Sequence, residues 1–322
     1  MKESKYKTVK QQYKRELEDI KRHLQTQGYA IDTIRADSNY LAIYLDWLDK
    51  EQIRETEVTY NELLTYIDKL TKGGDSKALI NRKLAAIRKY YDYLQNEGKA
   101  KKNPASGLFI KNKHQTIPSG LLTIEELTAL YENYQVNDPR SGRNKVMIGL
   151  LVYQGVTREE LEKLEINHVK LTSAKIEIPR GKHSNGRTLQ LESIQMLDLQ
   201  QYLSIIRPDI LKAHGSYGTG RKPDHINQEK VNNQLFISMH GSENIKNSFL
   251  HLVYALRKLN SKVTTAGQIR QSVITIWLKN RNLRTVQYMA GHRYVSSTER
   301  YQSNNLEDLQ HQLEKLHPLS TF

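Results

Sequence analysis

The sequence predicts a mostly α-helical chain in two domains, with one small antiparallel β-hairpin in the second. Three observations predict it. Apolar residues recur at three- and four-residue spacing through most of the chain, as in helices that bury one face. A polar, basic stretch broken by Pro118 and Gly120 (KNKHQTIPSG) divides that pattern in two. Only two short runs, 174–179 and 188–191, carry a β pattern, and they flank the Gly-containing turn RGKHSNGR.

The first domain is predicted over residues 1–112. Residues 1–27 are highly charged and end before Gly28; Val9, Tyr13, Leu17, Ile20 and Leu24 fall on one stripe and predict a helical N-terminal arm. Ile34, Tyr40, Leu41, Tyr44, Leu45 and Leu48 predict a helix over 33–50, with Asp32 or Asp37 supplying a cap near its start. A second helix is predicted over 59–71, ended by Gly73 and Gly74, and a third over 76–96. The third carries Leu84, Ile87, Tyr91 and Leu94 on one face and Lys77, Arg82, Lys83, Arg88 and Lys89 on the other; Lys101 and Lys102 follow. Such a basic face suits the phosphate backbone of a nucleic acid, and a plain solvated face reads the same way.

Residues 113–120 are predicted as a linker and 121–322 as the second domain. Thr123 and Glu126 have the spacing of a capping box ahead of Leu127 and Leu130. Residues 143–166 read as two helices with a tight turn at Gly155. After the hairpin a helix resumes near Ser193. Residues 207–233 are polar, Gly-containing and poor in apolar side chains, and read as an exposed insertion or flexible loop. Helical pattern returns from Ile245, broken around Gly267, 280–282 and 291–292. Leu306, Leu309, Leu313 and Leu316 predict a terminal amphipathic helix over about 304–317.

Composition narrows the function. Lys and Arg number 49 against 35 acids, a net +14, and a surplus of that size favours a polyanionic partner, because neutralising phosphates releases counterions. The chain has no cysteine, which excludes disulfides, thiolate metal sites and cysteine nucleophiles and is compatible with a reducing cytoplasm. No apolar run has the length of a membrane span, and the basic start lacks the apolar core of a secretion signal.

Four separated segments carry the chemistry: GVTREELEKL (155–164), RGKHSNGRTLQL (180–191), GQIRQSVITIWL (267–278) and AGHRYVSSTERYQ (290–302). Together and in this order they resemble the tyrosine recombinases of the phage-integrase family. Lys182 follows Arg158 by 24 positions and Tyr301 follows His292 by 9, as in that family's pattern. The resemblance covers roughly residues 120–305; the N-terminal helices are similar, less specifically, to the family's core-binding domain.

The resemblance implies a two-domain clamp around duplex DNA that cuts and rejoins it at a recombination site. Arg158 and Arg270 would clamp the non-bridging oxygens of the scissile phosphate with planar geometry that Lys cannot reproduce. Tyr301 would be the nucleophile, giving a 3′-phosphotyrosine link and a free 5′-hydroxyl. A phenol of reference pKa about 10 needs its proton removed or its phenolate stabilised. His292 would donate a hydrogen bond to the phosphate, and Lys182 would protonate the departing 5′-oxygen. Religation would need no ATP, metal or other cofactor, which agrees with the lack of a Walker sequence or acidic metal cluster. Competing readings exist for each residue alone: an i,i+4 ion pair with Glu162 for Arg158, a simple phosphate contact for Lys182, a capping or core role for His292. Tyr294 lies too close to His292 to match.

One position departs from the family. A His is expected three residues before Arg270, and Gly267 stands there. Either water, Lys182, His183 or His240 fills the gap, or the enzyme is slow, or the chain is an impaired homologue serving as a DNA-binding architectural or regulatory protein. The resemblance further implies a homotetramer on two duplexes, with the terminal helix exchanged in trans, in a bacterial or phage-derived, cytoplasmic, nucleoid-associated setting. Integration, excision, inversion and resolution all use this chemistry.

Overall fold

The structure, a computed structural model, describes residues 13–111, 120–182, 184–216 and 227–302. The chain divides into two compact units, Met1–Gln115 and Thr116–Phe322. Val9, His183 and the predicted terminal helix lie outside the described residues.

The first unit is built from α1 (Lys14–Thr26), α2 (Ile31–Lys50), α3 (Tyr60–Lys72) and α4 (Lys77–Asn96). Leu17, Ile20 and Leu24 bury the inner stripe of α1, and α2 packs against both α1 and α4. Leu41, Leu63, Leu84 and Ile87 are completely buried, each contributing roughly 1.5–3 kcal/mol relative to exposure. An aromatic layer of Tyr44, Trp47, Tyr66 and Tyr91 runs through this core, with the Tyr44 and Tyr91 hydroxyls bonded at 2.9 Å. Thr59 and Glu62 form a capping box on α3, and the Ser76 hydroxyl caps α4.

Two expectations are corrected here. Ala30 stands at the N-cap of α2, so neither Asp32 nor Asp37 caps it; Asp37 is buried and pairs with Lys89 Nζ at 2.6 Å. The basic face of α4 is divided, because three of its cations satisfy groups of their own unit. Lys83 is buried against Asp75 at 2.5 Å, and Lys89 also sits 4.2 Å from the Tyr29 ring centre. Arg88 donates to the carbonyls of Ala105 and Leu108, fixing the segment after α4. Lys77, Arg82, Lys101 and Lys102 remain exposed.

The second unit opens with α5 (Ile124–Glu132), whose Thr123–Glu126 capping box forms as its spacing predicts, then α6 (Pro139–Gln154) and the single-turn α7 (Arg158–Leu161). Three short antiparallel strands follow in the order β1 (Val169–Lys170), β2 (Lys175–Ile178), β3 (Arg187–Gln190), with Ile176 opposite Leu189 and Ile178 opposite Arg187. The two-residue β1 is too short to show alternation, and the sequence pattern missed it.

Next come α8 (Ser193–Gln201), a π-helical turn over Tyr202–Ile206 and α9 (Arg207–Ser216), then α10 (Gln228–Asn233). Residues 207–216 and 228–233 are therefore helical, and the expected flexible loop does not hold for them, although several of their side chains are exposed. Arg207, itself buried, donates to the carbonyls of Val231, Asn232 and Gln234, while Ile210 and Val231 are buried. A buried guanidinium supplies the cohesion that the low apolar content does not advertise. The chain continues as α11 (Lys246–Leu259), α12 (Ala266–Asn280) and α13 (Leu283–Ala290), and residues 296–302 are again helical. Gly267 sits inside the first turn of α12; the break falls before it, at residues 260–265. Among the described residues no helix is long and apolar enough to cross a membrane.

Candidate active site

A buried ion pair organises the site. Glu160, two residues after Arg158, and Arg187, at the start of β3, have side chains 3% and 0% exposed and meet through Arg187 Nη1 at 2.6 Å and Nη2 at 3.1 Å. Burial opposes ionisation of Glu160, but the Arg187 hydrogen bonds and the charges of Arg187 and Arg270 outweigh it, holding the carboxyl below its ordinary range. Arg187 Nε donates to the Met289 carbonyl at 2.6 Å, tying the hairpin to the end of α13.

Arg270 stands beside this pair, 3.7 Å from Glu160 Oε2. Its Nη1 donates to the Gly155 carbonyl and its Nη2 to the Ala290 carbonyl. One guanidinium thus staples the turn before Arg158 to the turn before His292. Burial holds Arg270 below the usual guanidinium value, with Glu160 opposing, and a guanidinium in this range stays charged.

Both stapled turns need glycine. Gly155 ends α6 at φ 56°, where a Cβ would lie 3.2 Å from the Val273 side chain. Gly291 ends α13 at φ 69°, and a Cβ there would stand 2.6 Å from Arg187 Nη1 and 2.9 Å from the Asn185 carbonyl.

His292 leaves this turn with its Nδ1 2.8 Å from Thr298 Oγ1 and its ring parallel to that of Tyr301, centres 6.0 Å apart. Burial, then the charges of Arg270, Arg187 and Arg300, push its pKa down to about 4, so the imidazole is neutral near pH 7. Tyr301 is 7% exposed and packs with Ile274, Val286 and Ala290.

The hairpin turn carrying Lys182 is zipped to the same place. Asn185 N donates to the Gly291 carbonyl at 2.9 Å, and Ser184 pairs with His292 as an isolated antiparallel bridge. Lys182 is exposed at the tip of that turn.

The structure therefore gathers Arg270, His292 and Tyr301 and brings the Lys182 turn to them. Arg158 is on the adjoining turn of α7, but its ion-pair partners among the described residues are Glu162 at 3.4 Å and Glu159 at 3.9 Å. That is the i,i+4 contact its spacing allows. Gly267 is exposed, and a Cβ added to it would meet only Thr265 Oγ1 at 3.6 Å. The lysines and arginines expected to bind DNA lie in the first unit, divided as described above. Sequence reading missed Glu160 and Arg187; the single signal was an Arg opening a strand whose alternation points it inward, a position that demands a buried anion.

The chain matches the profile of the phage integrase family over residues 121–307 and that of the phage integrase N-terminal SAM-like domain over 21–98. It therefore belongs to the phage integrase family, the tyrosine site-specific DNA recombinases. Among curated proteins it is similar to tyrosine recombinase XerD of Halalkalibacterium halodurans, 28% identical over 280 residues that cover 85% of this chain and 88% of the relative. It is also similar to tyrosine recombinase XerD of Staphylococcus aureus strain Mu50, 25% identical across 94% of this chain and 98% of the relative. Two solved structures share the fold at 17% identity. One is the XerH site-specific recombinase bound to palindromic difH substrate, TM-score 0.65, covering 87% of this chain and 79% of that one. The other is the Tn1549 transposon integrase with a circular-intermediate DNA, TM-score 0.60, covering 89% and 94%.

Proposed function

We propose that this chain exchanges strands between specific DNA sites by attack of Tyr301 on a backbone phosphodiester, leaving a 3′-phosphotyrosine bond and a 5′-hydroxyl. The observation that carries this reading is the juxtaposition of Tyr301, a neutral His292 and the twice-anchored Arg270. Attack concentrates negative charge on the non-bridging oxygens, and a preorganised guanidinium stabilises that charge without reorganising. In the tautomer in which Thr298 Oγ1 donates to Nδ1, His292 carries its proton on Nε2 and gives that hydrogen bond to a phosphate oxygen. Lys182, at the tip of the docked turn, protonates the leaving 5′-oxygen. Each phosphotyrosine conserves the energy of the bond it replaces, so religation by the 5′-hydroxyl requires neither ATP nor a metal.

Arg158 is the second guanidinium of this reading. It must leave Glu162, an exposed pair worth less than about 1 kcal/mol, for a phosphate that offers stronger charge-assisted bonds. Residues 1–112 are the backbone-binding domain, with Lys77, Arg82, Lys101 and Lys102 as its phosphate contacts, residues 113–120 the linker and 121–322 the catalytic domain. The functional assembly is a tetramer on two duplexes in which each terminal helix, about 304–317, docks on a neighbour, acting at the nucleoid in the cytoplasm.

The test is covalent trapping on nicked duplexes drawn from DNA flanking the coding sequence. Wild type forms a denaturant-stable adduct, and Tyr301→Phe binds the same DNA without forming one. Salt-sensitive binding with no adduct, persisting in Gly267→His, favours an architectural DNA-binding role instead. Unchanged cleavage by Arg158→Ala would leave Arg270 as the one guanidinium acting on the phosphate.

A further inference from the structure

β3 is the outer strand of the small sheet, and an outer strand presents backbone groups that no neighbouring strand pairs. Here side chains take them. The Gln190 carbonyl accepts from Gln154 Nε2 at 2.8 Å, which ties the far end of β3 to α6. The Thr188 N–H donates to the Tyr288 hydroxyl at 3.0 Å, which ties the near end to α13. Tyr288 is 54% exposed, so deleting its hydroxyl opens no void in the core.

Thr188 lies in the same hairpin as Lys182, six residues further on. Among the described residues, three hydrogen bonds hold that stretch against residues 288–291. They run from Asn185 N–H to the Gly291 carbonyl at 2.9 Å, from Arg187 Nε to the Met289 carbonyl at 2.6 Å, and from Thr188 N–H to Tyr288. The first joins backbone to backbone. The second comes from an arginine that also holds Glu160, so replacing it strands a buried charge. Of the three, the third alone rests on a side-chain atom that can be deleted by itself. A general acid has to reach hydrogen-bond distance of the oxygen it protonates, and a misplacement of about 1 Å can cost about 10²-fold in rate. Lys182 is exposed at the tip of the turn, so the anchoring of the strand behind it sets where its ammonium can go.

We propose that Tyr288 is a positioning residue for Lys182: its hydroxyl holds β3, and with it the turn that carries the general acid, against the end of α13. The inference rests on the recombinase reading, in which the Lys182 ammonium passes a proton to the 5′-oxygen as the bond from phosphorus to that oxygen breaks and Tyr301 becomes bonded to phosphorus. Tyr288 exchanges no proton with the substrate and acts through the strand. Water replaces the bond to Thr188 when the hydroxyl is removed, but water does not tether the strand to α13.

The test uses the nicked duplexes of the trapping assay in two forms, one with the natural 5′-oxygen at the scissile bond and one with sulfur in its place. Thiols ionise near pH 8.5, so the sulfur form releases a thiolate and needs no acid. Single-turnover cleavage is followed for full-length wild type, Tyr288→Phe, Lys182→Ala and the double variant. Lys182→Ala is expected to slow the oxygen form by about 10²-fold or more and to be rescued on the sulfur form. Tyr288→Phe is expected to slow the oxygen form by about 3–10-fold, the worth of one hydrogen bond. It should cleave the sulfur form at the wild-type rate and add nothing to Lys182→Ala, because the two residues act on one step. A Tyr288→Phe protein that slows both forms alike, or slows Lys182→Ala further, has lost structure and not acid placement, and overturns the proposal. Wild-type cleavage of the oxygen form by Tyr288→Phe overturns it too, and in each of these cases the recombinase reading stands. No cleavage by wild type, or no rescue of Lys182→Ala by sulfur, overturns the reading and the proposal with it.

Discussion

At the residue scale, two ion pairs one turn apart have opposite energetic character. Glu160–Arg187 is sealed from solvent, whereas Arg158–Glu162 is about a third exposed on both sides. Removing one partner of a buried pair strands a charge and costs roughly 3–5 kcal/mol. Glu160→Gln is therefore expected to lose about 3 kcal/mol in urea unfolding, and Glu162→Gln less than about 1 kcal/mol. His292 adds a pH dependence. Its folded pKa of about 4 lies below the reference 6.5, so between those values the unfolded chain binds the extra proton. The stability it confers is complete above about pH 6.5 and is lost as pH falls towards 4. Melts over that window should fall more steeply for wild type than for His292→Gln; parallel curves would remove His292 from the account. The open space at Gly267 admits a side chain, so Gly267→His should fold normally and nick DNA faster, by up to about 10²-fold if it restores proton transfer. An unchanged rate would mean that the chain's chemistry does not use that position.

At the element scale, the sequence was most legible where the determinants are local. The capping box at Thr123, the apolar stripes of α1–α4 and the hairpin all follow from contacts within a few residues. What it concealed is long-range. Periodicity assigned Lys83, Arg88 and Lys89 to one face, but cannot say that Asp75, Asp37 and two carbonyls wait there. The helices at 207–216 and 228–233 were hidden for the same reason, since Arg207 bonds carbonyls more than twenty residues away. The resemblance of the four motifs to the family pattern named Arg158, Lys182, Arg270, His292 and Tyr301, while the Glu160–Arg187 pair that brings their turns together left almost no trace. The Gly291 turn makes this assembly testable. Gly291→Ala forces a left-handed backbone and a contact 2.6 Å from Arg187 Nη1, which should cost about 2 kcal/mol or more. A wild-type melt for that variant would mean the hairpin is not docked as described.

At the scale of the whole molecule, a net charge of +14 belongs to the partner more than to the fold. Duplex affinity is expected to fall steeply with salt, and Lys101→Ala/Lys102→Ala to reduce the slope of log K against log salt by about 2. Lys83→Ala should leave that slope unchanged and destabilise the first unit, because its charge is spent on Asp75. The central claim, however, concerns one atom, the phenolic oxygen of Tyr301. The most direct measurement is to digest the trapped protein–DNA adduct and locate the modified residue by mass spectrometry. The account predicts nucleotide attached through a 3′-phosphate to the peptide containing Tyr301, with the cleaved strand carrying a free 5′-hydroxyl. Attachment to another residue such as Tyr294, or through a 5′-phosphate, would contradict it.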